Sequence, residues 1–248
     1  MMNNMTDTVK QLLLINVLFF IGSYFVPQAN ELLSLHYFES DGFKFWQPIT
    51  HVFMHGSLMH IFFNMFALVS FGSALEHFWG AKKFLFFYFS CGIGAALIHS
   101  GVNYYYFHDG LNILVENGID KNLIISTLSD GMYNKGWEEI SSVSSVENMI
   151  QGYSGKAVGA SGAIYGLLVA FAFMFPNAEL GFMFIPVPIK AKYFVPVIVM
   201  LDLFSGVTGY SIFGGGIAHF AHVGGALFGF IMMWYWKKNQ FDKNRWDR

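Results

Sequence analysis

Six stretches of this chain are apolar over about the length that crosses the hydrocarbon of a bilayer, roughly 20 residues as helix. They run over about 11–27, 58–78, 82–101, 159–176, 192–209 and 216–236. Charged residues make up only 12% of the chain, about half of what an ordinary soluble domain carries. With 29 Phe besides, the apolar surface exceeds what one core can hold, and the excess must face lipid. The expected fold is all-α, a polytopic membrane bundle of six transmembrane helices forming one domain over 1–248. Several spans contain Gly, His or Asn. Small residues let membrane helices approach closely, and polar ones must face the protein interior, so the bundle is expected to have a built interior.

Charge excludes one class of partner. The net charge of −2 supplies no basic field for nucleic acid. The single cysteine, Cys91, cannot form an internal disulfide and sits in an apolar run, where a small buried side chain is expected. The first stretch, Leu12 to Val26, follows Lys10 as a secretory signal would. The sequence after it, Pro27-Gln28-Ala29-Asn30, lacks a small-x-small cleavage site, so a retained first helix is expected.

Orientation follows from lysine and arginine, which collect on the cytoplasmic side. With six spans both termini share a side, which carries Lys10, Lys82, Lys83, Lys190, Lys192, Lys237, Lys238, Lys243, Arg245 and Arg248. The other side has Lys44, Lys121, Lys135 and Lys156. Both termini are therefore expected in the cytoplasm, with 237–248 a short basic tail, in the cytoplasmic membrane of a prokaryote. Trp234, Tyr235 and Trp236 fall where the last helix meets the interface. Residues 28–57 are too polar to span and too aromatic for a free loop, which fits a partly embedded interfacial segment. Residues 102–157 form an extracytoplasmic insertion between the third and fourth helices. Their mixture of acids with Tyr104, Tyr105, Tyr106, Leu123, Ile124 and Ile125 argues for a small folded cap or interfacial helices.

Three clusters could carry chemistry. Gly159-Ala160-Ser161-Gly162 opens a helix, where glycines allow a tight turn and free N–H groups face a developing oxyanion. By itself this also suits a small-residue packing patch. In the sixth span, His222, Gly225, Ala226 and Gly229 share one helical face. An imidazole inside a membrane is costly and points to function, whereas His219 is expected to be a hydrogen-bonded structural histidine. Gly162 and Gly166 on one helix and Gly225 and Gly229 on the other would let the two backbones meet, as a Ser–His hydrogen bond demands. Tyr165, one turn on from Ser161, is expected to pack against the imidazole. In the second span His60 and Asn64 share a face, and both can donate to an oxyanion. His51 and His55 are expected to anchor the entry of that helix. A metal shared among these histidines is the competing idea, but no His-Glu-x-x-His run is present and no intramembrane carboxylate stands beside them in sequence. No metal and no cofactor are expected.

His60-x-x-x-Asn64, Gly159-x-Ser161-Gly162 and Ala221-His222-x-x-Gly225-x-x-x-Gly229, in that order on the second, fourth and sixth helices, resemble the rhomboid intramembrane proteases. So does the stretch from Trp46 to Gly80, including Glu76 and Trp79. The resemblance implies a six-helix core and a serine endopeptidase with a Ser–His dyad and no third acid. Ser161 would be the nucleophile and His222 the general base. His60, Asn64 and the Ser161 backbone N–H would hold the oxyanion, with Tyr165 stacked on the histidine and Gly159 and Gly162 supporting the dyad. Asp202 in the fifth span is then expected to be a structural hydrogen-bonding group. Substrates would be single-span membrane proteins, cut near the outer end of their helix. The chain departs from many relatives where Trp46-Gln47-Pro48 stands in place of Trp-Arg, and in the length of 102–157. The rival readings are an inactive rhomboid-like protein that binds membrane clients, which would usually lack the serine or the histidine, and a channel or transporter using the histidines as a proton path.

Overall fold

The computed structural model describes residues 5–182, 185–210 and 218–238; the basic tail beyond Lys238 lies outside them. Each of the six apolar stretches contains helix over most of its described residues. α1 is Asp7–Phe25. After it come two short helices, α2 (Gln28–Leu33) and α3 (Gln47–Thr50). The second apolar stretch is α4 (Leu58–Ala67), a π-helical turn at Leu68–Gly72, and α5 (Ser73–Trp79). α6 (Ala81–Glu116) follows at once. Gly80 makes that reversal at φ +74°, a conformation that costs glycine little.

Among the described residues, four helices are long and apolar enough to cross a membrane: Asp7–Phe25, Leu58–Trp79, Ala81–Glu116 and Ala191–Thr208. The protein is thus a helical, multi-pass membrane protein. The two remaining apolar helices are α10 (Ser161–Met174), of 14 residues, and α12 (His219–Trp236), which carries both His219 and His222.

The start of α1 is held by a residue far along the chain. Glu76 of α5 accepts from the backbone N–H groups of Thr8 (3.2 Å) and Val9 (3.0 Å) and from the Thr6 hydroxyl. A carboxylate there satisfies first-turn donors that the helix itself cannot, and it complements the positive end of the helix dipole. We expect Glu76→Ala to destabilise the protein by about 1.5–3 kcal/mol, read as a lower Tm in detergent. Glu76→Gln should recover part of that, because its amide oxygen still accepts.

α6 corrects one boundary. The third apolar stretch was expected to end near residue 101, yet the helix runs unbroken for 36 residues, or about 54 Å at helical rise. That exceeds the hydrocarbon thickness of about 30 Å, so the insertion begins as a helical stalk. Asn103, Phe107, Gly110, Leu111 and Leu114 are buried along this stalk. Against it fold α7 (Lys121–Ser129), α8 (Trp137–Ile140) and α9 (Val143–Ser154). Asp120 and Ser142 cap α7 and α9 by accepting from Leu123 N and Ser145 N. The cap has its own core, with Tyr37, Ile124, Leu128, Trp137, Val146, Met149 and Tyr153 packed on the stalk. Residues 102–157 are therefore a folded helical cap.

The strands β1 (Glu179–Phe182) and β2 (Ile185–Lys190) form an antiparallel hairpin leading into α11 (Ala191–Thr208), with Glu179 opposite Lys190. This hairpin was not expected. It is too short to raise a period-two signal above the apolar helices on either side.

The segment 28–57 is ordered around Gln47, which is fully buried. Its carboxamide oxygen accepts from His36 N (3.2 Å), and its amide donates to Gly42 O (3.0 Å). The residue that departs from the Trp-Arg pattern therefore serves the loop's own backbone. The cap grips the same segment through Tyr37 on Phe107 and Tyr153, through Glu39 accepting from His108 (2.9 Å), and through Glu31 paired with Lys156.

Candidate active site

α10, α12 and α6 pack so closely that the contacts demand glycine. A Cβ on Gly225 would stand 1.8 Å from Gly162 O, and one on Gly229 would stand 2.7 Å from the Gly166 Cα. Behind them, a Cβ on Gly162 would meet the Ala95 Cβ of α6 at 2.5 Å, and one on Gly166 would meet the Cys91 thiol at 2.3 Å. Cys91 is thus the buried filler that its sequence context implied. The two small-residue faces expected on these helices do meet, backbone on backbone. In hydrocarbon, such packing supplies the helix–helix attraction that the hydrophobic effect does not.

This closeness brings the polar groups together. Ser161 is the first residue of α10, and its hydroxyl lies 2.8 Å from His222 Nε2, across from the second turn of α12. Both residues are only partly buried. The phenol ring of Tyr165 stacks on the His222 imidazole with centroids 4.3 Å apart and planes 12° from parallel. Ser161 Oγ thus has an imidazole nitrogen at hydrogen-bond distance, and that ring is stacked on a phenol.

The turn before Ser161 is tied to the embedded segment. Gly159 N–H donates to His51 O (2.9 Å), and Leu35 pairs with Ala157 as an antiparallel bridge. Gly159 sits at φ +118°, and a Cβ there would stand 2.6 Å from His60 Nε2. Glycine is needed at 159 twice over, for its backbone angle and for the imidazole lying against it. That imidazole therefore borders the turn leading to Ser161. The amide of Asn64 donates one bond to His60 O at 2.9 Å, which leaves its second N–H for another acceptor. Because Ser161 opens a helix, its N–H has no intrahelical acceptor. His51 and His55 are buried, with Nδ1 atoms on Gln47 O (2.9 Å) and Phe53 O (3.4 Å). Both bonds are local to the run that precedes α4. Among the described residues, no group of three or more histidine, cysteine and carboxylate side chains is arranged to hold a metal ion.

Sequence reasoning left one group without its place. Asp202 of α11 is buried, at 3% exposure, and it does form hydrogen bonds, but its partners include His222, the residue facing Ser161. Its Oδ1 lies 3.1 Å from His222 Nδ1 and 2.6 Å from His219 Nδ1, and its Oδ2 accepts from the Tyr165 hydroxyl. The signal that could have found it was the cost of an acid in a membrane span, set beside two histidines in the next one.

Comparisons with known proteins point one way. A family model described as a Rhomboid domain matches residues 42–115 and 139–239. Presenilin-associated rhomboid-like protein, mitochondrial, of Homo sapiens is 26% identical over 239 residues, covering 94% of this chain and 49% of that protein. Presenilin-associated rhomboid-like protein A, mitochondrial, of Danio rerio is 29% identical over 184 residues, covering 74% and 34%. Rhomboid protein 1, mitochondrial, of Saccharomyces cerevisiae is 24% identical over 190 residues, covering 77% and 41%. The chain spans about half the length, or less, of these relatives. Each is named mitochondrial, which conflicts with the expected prokaryotic cytoplasmic membrane.

Proposed function

This chain belongs to the rhomboid family, and from that premise we propose that it is an intramembrane serine endopeptidase cutting transmembrane segments of membrane proteins. The observation that carries the reading is the 2.8 Å approach of the Ser161 hydroxyl to His222 Nε2. A serine hydroxyl is a poor nucleophile until a base takes its proton. In the proposed mechanism His222 removes that proton as Ser161 Oγ attacks the scissile carbonyl. The oxyanion is held by the Ser161 N–H, the free amide N–H of Asn64 and the His60 ring. His222 then returns the proton to the leaving amine, and water deacylates Ser161 by the same route. Tyr165 holds the imidazole plane, while Gly159 and Gly162 keep the turn and the helix contact narrow enough for the dyad to form.

The proposed topology has six spans, α10 and α12 included, with both ends of the chain on the lysine-rich side. Ser161, at the start of α10, then faces the side opposite Lys190 and Lys192. Cleavage would fall near that end of a substrate helix, where water reaches the bond. The test is incubation of purified protein with a generic single-span substrate, followed by mapping of the new N-terminus. A cut within the outer part of the span supports the proposal. No cut, together with solute flux through liposomes, would favour a transporter.

The oxyanion donors give a graded prediction. Removing one such donor typically costs roughly 10²- to 10³-fold in rate. Asn64→Ala and His60→Ala should each lower kcat by about that much while leaving weak, measurable cleavage. A variant indistinguishable from the parent would remove that residue from the oxyanion site.

A further inference from the structure

Three donors from two helices converge on the carboxylate of a third. Asp202 of α11 takes the Tyr165 hydroxyl of α10 on Oδ2, and the Nδ1 atoms of His219 (2.6 Å) and His222 (3.1 Å) of α12 on Oδ1. The far nitrogen of the same His222 ring meets Ser161 at 2.8 Å. The chain of contacts therefore runs from carboxylate to imidazole to hydroxyl, across three helices.

We propose that Asp202 is a positioning residue for the reaction, the third member of a Ser–His–Asp arrangement in this chain. The inference rests on the protease reading above. An ionised carboxylate only accepts hydrogen bonds. When it accepts from His222 Nδ1–H, the neutral imidazole keeps its lone pair on Nε2, where Ser161 presents its proton. The same carboxylate stabilises the imidazolium that forms once the proton has moved. It does so from a buried position, where charge interactions are less screened than in water. Tyr165 acts on the ring in two ways, by stacking on its face and by pinning the carboxylate that orients its edge. Asp202 touches neither substrate nor the attacked bond, so its effect passes through His222.

A group that merely tied three helices together would change stability and leave the acid–base chemistry alone. The experiment therefore compares parent, Ser161→Ala and Asp202→Asn, each purified in detergent and checked for folding by thermal unfolding. Cleavage of a single-span substrate is followed across pH. For Asp202→Asn we expect kcat to fall about 10²- to 10⁴-fold, with KM nearly unchanged. The pH profile of kcat/KM should also change from the parent's, because the variant's imidazole has lost its ionised partner. A folded Asp202→Asn with the parental kcat and profile would overturn the inference. So would a loss confined to KM with the profile unchanged.

Should Asp202→Asn fail to fold, the imidazole N–H resonances of the parent decide. A downfield proton signal that persists in Ser161→Ala and disappears in His222→Gln supports the pairing, and its absence from the parent refutes it. Failure of the protease reading looks different. In that case Ser161→Ala and the parent cleave alike, or neither cleaves, while the imidazole signal still reports on the contact.

Discussion

On the proposed mechanism, cleavage of a membrane-spanning substrate should fall to background when Ser161 is replaced by Ala, and equally when His222 is, an expected loss of roughly 10⁶-fold in kcat. The two losses should match because hydroxyl and imidazole act as one unit. With the hydroxyl that lies 2.8 Å from His222 Nε2 removed, the imidazole has no proton to take, and a hydroxyl without its base stays a hydroxyl. The double variant should be no worse than either single one, as expected for groups that act together. What remains is the roughly 10³- to 10⁴-fold acceleration over water that an oxyanion site and binding alone can give. Stability should separate the two variants even though activity does not. Ser161→Ala removes a hydroxyl at a helix start. His222→Ala removes a ring that stacks on Tyr165 and bonds to Asp202, so its Tm should drop further. Single-turnover cleavage beside thermal unfolding reads both quantities. Parental activity in Ser161→Ala would refute the nucleophile assignment.

The second large effect is expected at a residue with no functional group. Gly225→Val should leave no measurable cleavage and destabilise the protein by about 3 kcal/mol or more. The reason is steric and specific: even the first added carbon would stand 1.8 Å from Gly162 O. The atom it meets belongs to backbone, which cannot rotate aside, so α10 and α12 must separate. Overpacking of a core typically costs about 1–3 kcal/mol, and here the displaced contact carries Ser161 away from His222. A misplacement of about 1 Å can cost about 10²-fold in rate, and this shift is larger. Gly101, with nothing within 4 Å of an added Cβ, is the control, and Gly101→Ala should be tolerated. Equal Tm values for Gly225→Val and Gly101→Ala would show that the helices are not held by that contact.

Much of this was legible in the order of residues. Apolar runs of spanning length announce membrane helices because lipid imposes a length and a composition on every segment independently. The Gly162/Gly166 and Gly225/Gly229 faces could be matched before any coordinates, since a helix fixes which residues share a face. The pairing of Ser161 with His222, and the stacking of Tyr165 on that imidazole, followed from those faces. The end of the third helix was not legible. Beyond residue 101 α6 carries polar residues that suit either a loop or a stalk, and packing by Met149 and Tyr153 of the cap makes it a stalk. Gln47 looked like the loss of an arginine, and only the loop folded around it revealed a carboxamide satisfying backbone groups.

Asp202 marks the division most clearly. Its presence in an apolar span obliged it to have partners, and that obligation was in the sequence. Which partners it takes depends on how α11 is turned about its own axis against α12, because a rotation of one residue, about 100°, would aim the carboxylate elsewhere. Composition and periodicity are local and decide what each helix is. The turn of one helix against another is set by which small residues, rings and buried carboxylates fit at every contact at once, and only the assembled bundle decides that.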